Sequence, residues 1–286
     1  MPTLFRKPRE IRNYLKSVRC DSKQSIGFVP TMGYLHEGHR RLIRESKIQN
    51  DITVVSIYVN PLQFGQGEDY ERYPRDLERD ISICAEEGVD VVFAPSDEDM
   101  YPEKPLINIE IKGLTDILEG KFRPGHFNGV CTVVLKLFNI IQPDRAYFGE
   151  KDYQQLKVVQ RLVEDLSLPV EIVPVPTVRD PDGLALSSRN TYLSPEERES
   201  ALSLYRSFLL AEKLFKSGNT DANLLKEAIR EFILTHQHVK GIDDVEITDQ
   251  DLKPVNEVKI GDRILLAVWV GSTRLIDNWR LGDAQV

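Results

Sequence analysis

Short apolar runs alternate with charged, amphipathic segments over roughly the first 178 residues. The apolar runs, which are typical of buried strands, lie at 26–29, 52–59, 89–94, 146–149 and 170–175. The segments with the composition or spacing of helices lie at 39–49, 73–87, 127–141 and 153–166. Strands that alternate with helices in this way predict βαβ units and a mostly parallel sheet.

The pattern changes after residue 178. Residues 180–183 (Asp-Pro-Asp-Gly) form a turn signal. Ser194, followed by Pro195 and Glu197, predicts the capped start of a long helix. A second helix is expected at 221–235, and strands at 245–248 and 264–270. We therefore expect an α/β protein with a Rossmann-like parallel-sheet domain over 1–178, which carries most of the site. A smaller C-terminal α+β domain over 179–286 is expected to act as a lid, with the turn at 180–183 as the place where it moves.

Composition limits the kinds of ligand that the protein can bind. The 286 residues suit two domains, and 41% apolar with 29% charged residues is ordinary for a globular chain. There are 37 basic and 45 acidic residues, so the net charge is 37 − 45 = −8. Such a chain is a poor candidate for sequence-independent binding to nucleic acid or to an anionic membrane. An anionic ligand would need local clusters of binding groups.

The cysteines and the apolar segments indicate the compartment. Cys20, Cys84 and Cys131 are odd in number, widely spaced and without a CxxC pair, which argues against a disulfide framework or a structural zinc site. Residues 1–12 are charged and lack the apolar core of a signal peptide. The longest apolar stretches, at 130–141 and 264–270, are too short to span a membrane. We expect a cytoplasmic protein with no membrane partner.

Two of the five histidines lie in residues 30–39, Pro-Thr-Met-Gly-Tyr-Leu-His-Glu-Gly-His. This segment leaves a predicted strand and enters a predicted helix. Ligands of open parallel sheets bind at the carboxyl ends of strands, and a helix N-terminus there favours anions. His36 and His39 can point the same way and donate to a phosphate whose charge builds during displacement. A zinc pair is an alternative, although its motif needs a spacing of four rather than three. A purely structural turn is another.

The segment resembles the HxGH signature of the nucleotidyltransferase superfamily, and its full string is similar to that of the pantoate–β-alanine ligase family. Neither GxGxxG nor GxxxxGK[ST] occurs. Further matches follow in chain order: 59–65 (Val-Asn-Pro-Leu-Gln-Phe-Gly), 73–75 (Tyr-Pro-Arg), 123–127 (Arg-Pro-Gly-His-Phe), 130–134 (Val-Cys-Thr-Val-Val), 148–152 (Phe-Gly-Glu-Lys-Asp), 154–155 (Gln-Gln), 186–190 (Leu-Ser-Ser-Arg-Asn) and 274–278 (Arg-Leu-Ile-Asp-Asn). The resemblance thus covers nearly the whole chain. One departure is the pair Arg40-Arg41, where the family usually has an uncharged residue first.

The resemblance implies His39 as a catalytic residue and a set of residues that bind ATP. These ATP-binding residues are Met32, Gly33, Tyr34, Leu35, His36, Glu37, Gly38, His39, Gly149, Glu150, Lys151, Asp152, Val178, Leu186, Ser187, Ser188 and Arg189. Gln63 and Gln155 are expected to bind pantoate, with Gln63 also near β-alanine. ATP is expected with Mg²⁺, whose protein ligands the sequence does not identify.

Several of these residues also have a plainer interpretation. Lys151 and Asp152 can form an ordinary surface ion pair, and 187–189 can be a polar loop. Asn60 is a secondary candidate near the substrates. His126 either lines the substrate site or caps the helix that follows it. The sequence at 235–238 (Thr-His-Gln-His) is typical of the solvated end of a helix rather than of a metal site.

The implied reaction is the ATP-dependent condensation of (R)-pantoate with β-alanine through a pantoyl adenylate, with release of pyrophosphate and AMP, by a homodimer. Two alternatives are another enzyme of the superfamily that leaves its nucleotide on the product, and a nucleotide-binding module without catalysis. Release of AMP with formation of an amide would exclude the first alternative, and ATP binding without any release of pyrophosphate would support the second.

Overall fold

The computed structural model of the chain describes residues 1–22 and 24–282, apart from the side chains of residues 20–22. These residues form two compact units. The first comprises Met1–Glu150 and Gln155–Pro176, and the second comprises Lys151–Gln154 and the described residues from Thr177 onward.

A six-stranded parallel sheet forms the centre of the first unit. Its strands are β1 (Thr3–Phe5), β2 (Ile26–Thr31), β3 (Ile52–Ile57), β4 (Val91–Phe93), β5 (Arg145–Gly149) and β6 (Glu171–Val175). They lie in the order β1-β4-β3-β2-β5-β6, and every pair is parallel. The chain builds outward from β2 through β3 to β4, then returns to the other side of β2 for β5 and β6. The topological switch point therefore lies between β2 and β5.

Helices connect these strands. They are α1 (Pro8–Ser22), α2 (Glu37–Gln49), α3 (Leu77–Glu86), the short α4 (Asp97–Met100) and α5 (Glu119–Phe122), α6 (His126–Ile141) and α7 (Tyr153–Asp165). One apolar cluster joins α2 and α3 to the sheet through Leu35, Ile43, Val55 and Cys84, all of which are fully buried. Burial of this cluster holds α2 in place at the sheet edge from which the helix begins.

The second unit contains two helices and a three-stranded antiparallel sheet. The helices are α8 (Pro195–Lys216) and α9 (Ala222–Leu234), and the strands are β7 (Val239–Thr248), β8 (Arg263–Val270) and β9 (Thr273–Arg280), in the order β7-β8-β9. Phe208, Ile229 and Val268 are fully buried in their shared core. The predicted cap of α8 is confirmed, because Ser194 accepts from the backbone of Glu197 and the Glu197 side chain accepts from Ser194.

The predicted fold class is confirmed, and the differences lie in element bounds. The helix predicted at 73–87 begins only at Leu77, because the Asp76 side chain caps it and Pro74 precedes it. Strand β9 went unpredicted; in the structure its first five residues alternate between buried and partly buried positions. Strand β1 and helix α1 also went unpredicted.

No helix in the described part of the chain is both long and apolar enough to cross a membrane.

Candidate active site

The two histidines of the 30–39 segment lie at the switch point of the first unit. Strand β2 ends at Thr31, and the loop that follows leads into α2 at Glu37. Strand β5, the neighbour of β2 across the switch point, ends at Gly149, with Glu150 directly after it. Open α/β sheets bind ligands in the crevice outside the carboxyl ends of the strands at such a point.

His36 and His39 form a capping box at the start of α2. The backbone N–H of Gly38 donates to Nδ1 of His36 at 3.1 Å, and the backbone N–H of His36 donates to Nδ1 of His39 at 3.2 Å. The two ring centroids are 4.0 Å apart. Since both Nδ1 atoms accept hydrogen bonds, each neutral imidazole carries its proton on Nε2. The helix N-terminus therefore presents two neighbouring rings whose Nε2–H groups can donate to an anion.

The loop before these histidines has an unusual backbone. Gly33 and Tyr34 both have positive φ, 83° and 51°. The side chain of Thr31 accepts from the N–H of Gly33 at 3.1 Å, and Met32 lies next to it, half-buried. A left-handed conformation is rare for a residue with a side chain, so the fold must hold Tyr34 by specific contacts.

The residue after the HxGH signature, Arg40, pairs with Glu86 at 2.6 Å and with Glu87 at 2.8 Å. Glu37 is exposed and pairs with Arg44. The departure from the family pattern at Arg40 therefore serves contacts between α2 and the end of α3.

Gln63 follows β3 in a short 3-10 helix (Pro61–Gln63) and is buried. Its amide donates to Sδ of Met32 at 3.0 Å and accepts from the amide of Asn60 at 3.2 Å. Asn60 is itself fixed by Tyr101, whose hydroxyl donates to Oδ1 at 3.1 Å, and by the carbonyl of Gly129. Asn60 thus orients Gln63. Gln63 lies beside the loop of residues 32–36 between β2 and α2, called the histidine loop below.

His126 supports the same region and does not cap α6, which corrects one of the two interpretations that the sequence left open. The N-cap of α6 is Gly125, with no side-chain cap. Nδ1 of His126 lies 2.8 Å from the carbonyl oxygen of Gln63, and Nε2 lies 3.2 Å from the guanidinium of Arg123. Arg123 also holds the carboxylate of Glu68 with two of its nitrogens. Burial acts to raise the pKa of Glu68, but these bonds outweigh it and lower the pKa below its usual range.

In the second unit, Asn278 of β9 organises two of the predicted nucleotide-binding segments. Its side-chain amide donates to the carbonyl of Lys151 at 2.8 Å, and its backbone carbonyl oxygen accepts from Arg179 at 3.1 Å. The ammonium of Lys151 lies 3.1 Å from the carboxylate of Asp152, so the ion pair expected from the plainer interpretation is present. Arg263 donates to Oδ1 of Asn278 at 2.7 Å.

Val178 and Leu186 are held together, since the N–H of Leu186 donates to the carbonyl of Val178 at 3.0 Å. Next to Val178, Arg179 donates to the carboxylate of Asp277 with its two terminal guanidinium nitrogens, at 2.6 and 2.9 Å. Such a fork-to-carboxylate pair fixes backbone position as well as charge.

A 3-10 helix (Ser188–Tyr192) follows, capped by the hydroxyl of Ser187, which accepts from the N–H of Arg189 at 3.3 Å. Ser188 is buried. The structure therefore gathers Lys151, Val178 and the segment that contains Arg189 within the second unit.

The remaining predicted residues lie in the first unit. Gly149 and Glu150 are half-buried at the end of β5, and Gln155 is half-buried in the first turn of α7. The assignment of Gln155 to a substrate stays a prediction.

Within residues 1–22 and 24–282, no group of three or more His, Cys, Asp or Glu side chains could hold a metal ion. Burial raises the pKa of both Cys84 and Cys131 to about 12, which keeps them as thiols. The side chain of Cys20 lies outside the described part of the chain.

Asp80 is a residue of this site that the sequence prediction missed. It lies on α3 with 1% of its surface exposed and accepts from the backbone of Tyr34 and Leu35. A signal was present, because Asp80 shares the apolar face of α3, three residues before Ile83 and four before Cys84. A carboxylate in that position requires a partner from another element.

Comparisons with known proteins agree with this geometry. The family model described as "Pantoate-beta-alanine ligase" matches residues 3–280. A pantothenate synthetase of Aquifex aeolicus is 66% identical over 281 residues, 98% of this chain and 99% of that protein. One from Sulfurihydrogenibium is 57% identical over 95% of this chain and 97% of that protein.

Solved structures give the same result. The pantothenate synthetase of Thermus thermophilus superposes with a TM-score of 0.91 and 47% identity, covering 97% of this chain and 99% of that one. A pantoate–β-alanine ligase from Francisella tularensis, crystallised with "Beta-gamma ATP and Beta-alanine", has a TM-score of 0.79 and 38% identity over 98% of both chains. The chain therefore belongs to the pantoate–β-alanine ligase family of enzymes.

Proposed function

We propose that this enzyme condenses pantoate with β-alanine, using ATP, by way of a pantoyl adenylate. In the first step, a carboxylate oxygen of pantoate attacks the α-phosphorus of ATP, and the bond to the β-phosphate oxygen breaks to release pyrophosphate. In the second step, the neutral amine of β-alanine attacks the activated carbonyl carbon, AMP leaves and the nitrogen loses a proton. Activation is needed because a free carboxylate is a poor electrophile.

The observation that carries the proposal is the pair of imidazoles at the start of α2. Both rings keep their proton on Nε2, because backbone N–H groups bond to Nδ1 of His36 and of His39. The Nε2–H groups can donate to phosphate oxygens, whose charge grows during displacement. The partial positive charge of the α2 N-terminus acts in the same direction. His39 is assigned as the catalytic residue because the family resemblance implies it, and this geometry supports the assignment.

The other ATP contacts are assigned by residue type and position. In the first unit they are the loop residues Met32–Gly38, with Gly149 and Glu150 at the end of β5. In the second unit they are Lys151, Asp152, Val178, Leu186, Ser187, Ser188 and Arg189. Lys151 supplies a point charge, and Arg189 supplies a guanidinium that suits a phosphate.

Gln63 and Gln155 are assigned to pantoate. An amide can bond a carboxylate and a hydroxyl without adding charge. The assignment of Gln63 is supported by its burial and by its contact with Met32 of the histidine loop.

Magnesium is proposed as the companion of ATP. Mg²⁺ in nucleotide sites is bound through one or two carboxylates and the substrate phosphates rather than by an all-protein cage. The carboxylate of Asp152, which pairs with the ammonium of Lys151 at 3.1 Å, is the protein group that would lie near the ion. The ion would shield the phosphate charge. The homodimer, which the family resemblance implies, and the cytoplasmic location stay predictions.

Pyrophosphate exchange tests the proposal. Labelled pyrophosphate should enter ATP when the enzyme has ATP, magnesium and pantoate but no β-alanine, because the first step needs no amine. Omission of pantoate is the matched control and should stop the exchange. Addition of β-alanine should then yield AMP and an amide, identified by mass spectrometry. Exchange that strictly requires β-alanine would show that the reaction is concerted, and a nucleotide left on the product would indicate the superfamily alternative.

A further inference from the structure

Helix α3 contacts the histidine loop through a buried carboxylate. Asp80 has 1% of its surface exposed, and its two oxygens accept from the backbone N–H groups of Tyr34 and Leu35, each at 2.7 Å. The partners are 46 and 45 residues away along the chain. Two donors on one carboxylate define both the position and the orientation of a peptide segment.

The residue beside it makes a second set of contacts with the same loop. The guanidinium of Arg79 donates to the carbonyl of Leu35 at 2.9 Å and lies over the ring of Tyr34, 4.9 Å from its centroid. It also lies 3.5 Å from Asp80. Together, Asp80 and Arg79 of α3 contact two residues of the loop. They bind the N–H and the carbonyl of Leu35, and they contact the N–H and the ring of Tyr34.

The loop needs such support because of its conformation. Gly33 and Tyr34 are consecutive residues with positive φ, and the loop also borders a cavity of about 330 Å³ that Met32 and Gly33 line. A Cβ at Gly33 would lie 2.9 Å from Oδ2 of Asp80 and 3.0 Å from Ile57. The carboxylate of Asp80 therefore fits against the loop only because residue 33 is a glycine.

The supported residues lead directly into His36 and His39. His36 follows Leu35, and the N–H of His36 is the donor that fixes Nδ1 of His39. Any rotation of the peptide between Leu35 and His36 would therefore move the hydrogen bond that orients the second imidazole.

We propose that Asp80, assisted by Arg79, is a positioning residue for the reaction: it holds the backbone of Tyr34 and Leu35 so that His36 and His39 present Nε2 to the nucleotide. The inference rests on the proposed function, because it assigns the contacts of Asp80 and Arg79 with the loop to adenylate formation.

Asp80→Asn tests this role, because an amide of the same shape can accept only one of the two N–H bonds and turns a donor toward the other. We expect pantoate-dependent pyrophosphate exchange to fall about 10- to 100-fold, the size of effect that a displacement of about 1 Å produces. The ¹⁵N resonances of the His36 and His39 rings should shift as well, because the bond to Nδ1 changes.

Two control variants on α3 distinguish a loss of loop positioning from a loss of folding stability and from a loss of negative charge. Glu78→Gln removes an exposed carboxylate from α3 and should leave exchange unchanged. Ile83→Ala removes a buried side chain from α3 and should lower the melting temperature at least as much as Asp80→Asn does, while exchange below that temperature stays near the wild-type rate.

The outcomes distinguish this inference from the proposed function. A wild-type enzyme without exchange would overturn both. A wild-type enzyme that exchanges, with an Asp80→Asn variant that exchanges within twofold of it or loses no more than Ile83→Ala, would overturn the positioning role alone. If Asp80→Asn fails to fold, Arg79→Met tests the same role at a more exposed side chain. A several-fold loss of exchange with shifted histidine resonances supports the positioning role. Exchange at the wild-type rate overturns it.

Discussion

Nδ1 of His39 accepts the backbone N–H of His36 at 3.2 Å, so one histidine fixes the proton position of the other. The bond is also half of the capping box of α2. His39 therefore has two separable roles, a structural one through Nδ1 and a chemical one through Nε2. Mutations that keep one role and remove the other can measure each.

His39→Ala should lower turnover about 10²- to 10³-fold, the usual cost of losing one donor to developing charge. The loss of its cap should cost only about 1 kcal/mol of folding free energy. His39→Gln is the sharper variant, since Gln suits the third helical position of a capping box and can accept from the N–H of His36. It should be as stable as the wild type and still far below it in turnover.

The measurements are steady-state kinetics and thermal unfolding, with His238→Ala as the control for a histidine outside the site. Turnover near wild type in a folded His39→Ala enzyme would remove His39 from the mechanism.

Lys151→Ala should weaken the use of ATP about 10- to 100-fold, as expected for a lost hydrogen bond to a charged group, and leave the fold intact. Lys151→Arg should not fully restore it, because a planar fork does not replace a point charge. Lys226→Ala is a matched control, since Lys226 pairs with Glu246 at 3.0 Å and is about as exposed as Lys151, which pairs with Asp152 at 3.1 Å.

The apparent KM for ATP measures the effect. If Lys151→Ala behaves as Lys226→Ala does, the Lys151–Asp152 pair is an ordinary ion pair and has no part in nucleotide binding.

Gln63→Ala should impair use of pantoate and β-alanine about tenfold while ATP binding survives, because the Gln63 amide, oriented by Asn60, is assigned to the organic substrates and not to ATP. Gln66→Ala, at an exposed position in the same loop, is the control. Calorimetry with each substrate separates the two effects. Lost ATP affinity with intact pantoate affinity would contradict the assignment of Gln63.

Strong periodicity and motif spacing made most of the fold and the location of the candidate site predictable from the sequence. The alternation of apolar runs and amphipathic segments indicated the parallel sheet, and the HxGH segment was located at the correct strand end. The sequence could not show the tautomers of His36 and His39, because they depend on backbone bonds within one turn. It also could not pair Asp80 with Tyr34, since that contact joins residues 46 positions apart through a loop whose φ angles no pattern encodes.

The position of Asp80 also predicts how stability depends on pH. Burial raises the pKa of the Asp80 carboxyl above its ordinary value; the N–H bonds from Leu35 and Tyr34 and the charge of Arg79 oppose the shift, and Asp76 adds to it. Arg6, Arg75 and Asp97 are the other charged groups that line the cavity beside it. A carboxyl with a raised pKa binds its proton more tightly in the folded than in the unfolded state. Its contribution to the free energy of unfolding is therefore fully present below the ordinary pKa of about 4 and lost as pH rises through the raised value.

Asp80→Asn lacks this titration, so wild type should gain stability relative to the variant as pH falls from about 7 toward about 4. Thermal unfolding of both proteins across that range, with Glu78→Gln as the control for an exposed carboxylate on the same helix, measures the difference. A difference between wild type and Asp80→Asn that stays constant with pH, or that shrinks as pH falls, would show that the folded protein does not raise the pKa of Asp80. The enzyme would then hold its histidine loop with a carboxylate that ionises at least as readily as one in water, because the two N–H bonds and the charge of Arg79 would match or outweigh the effect of burial.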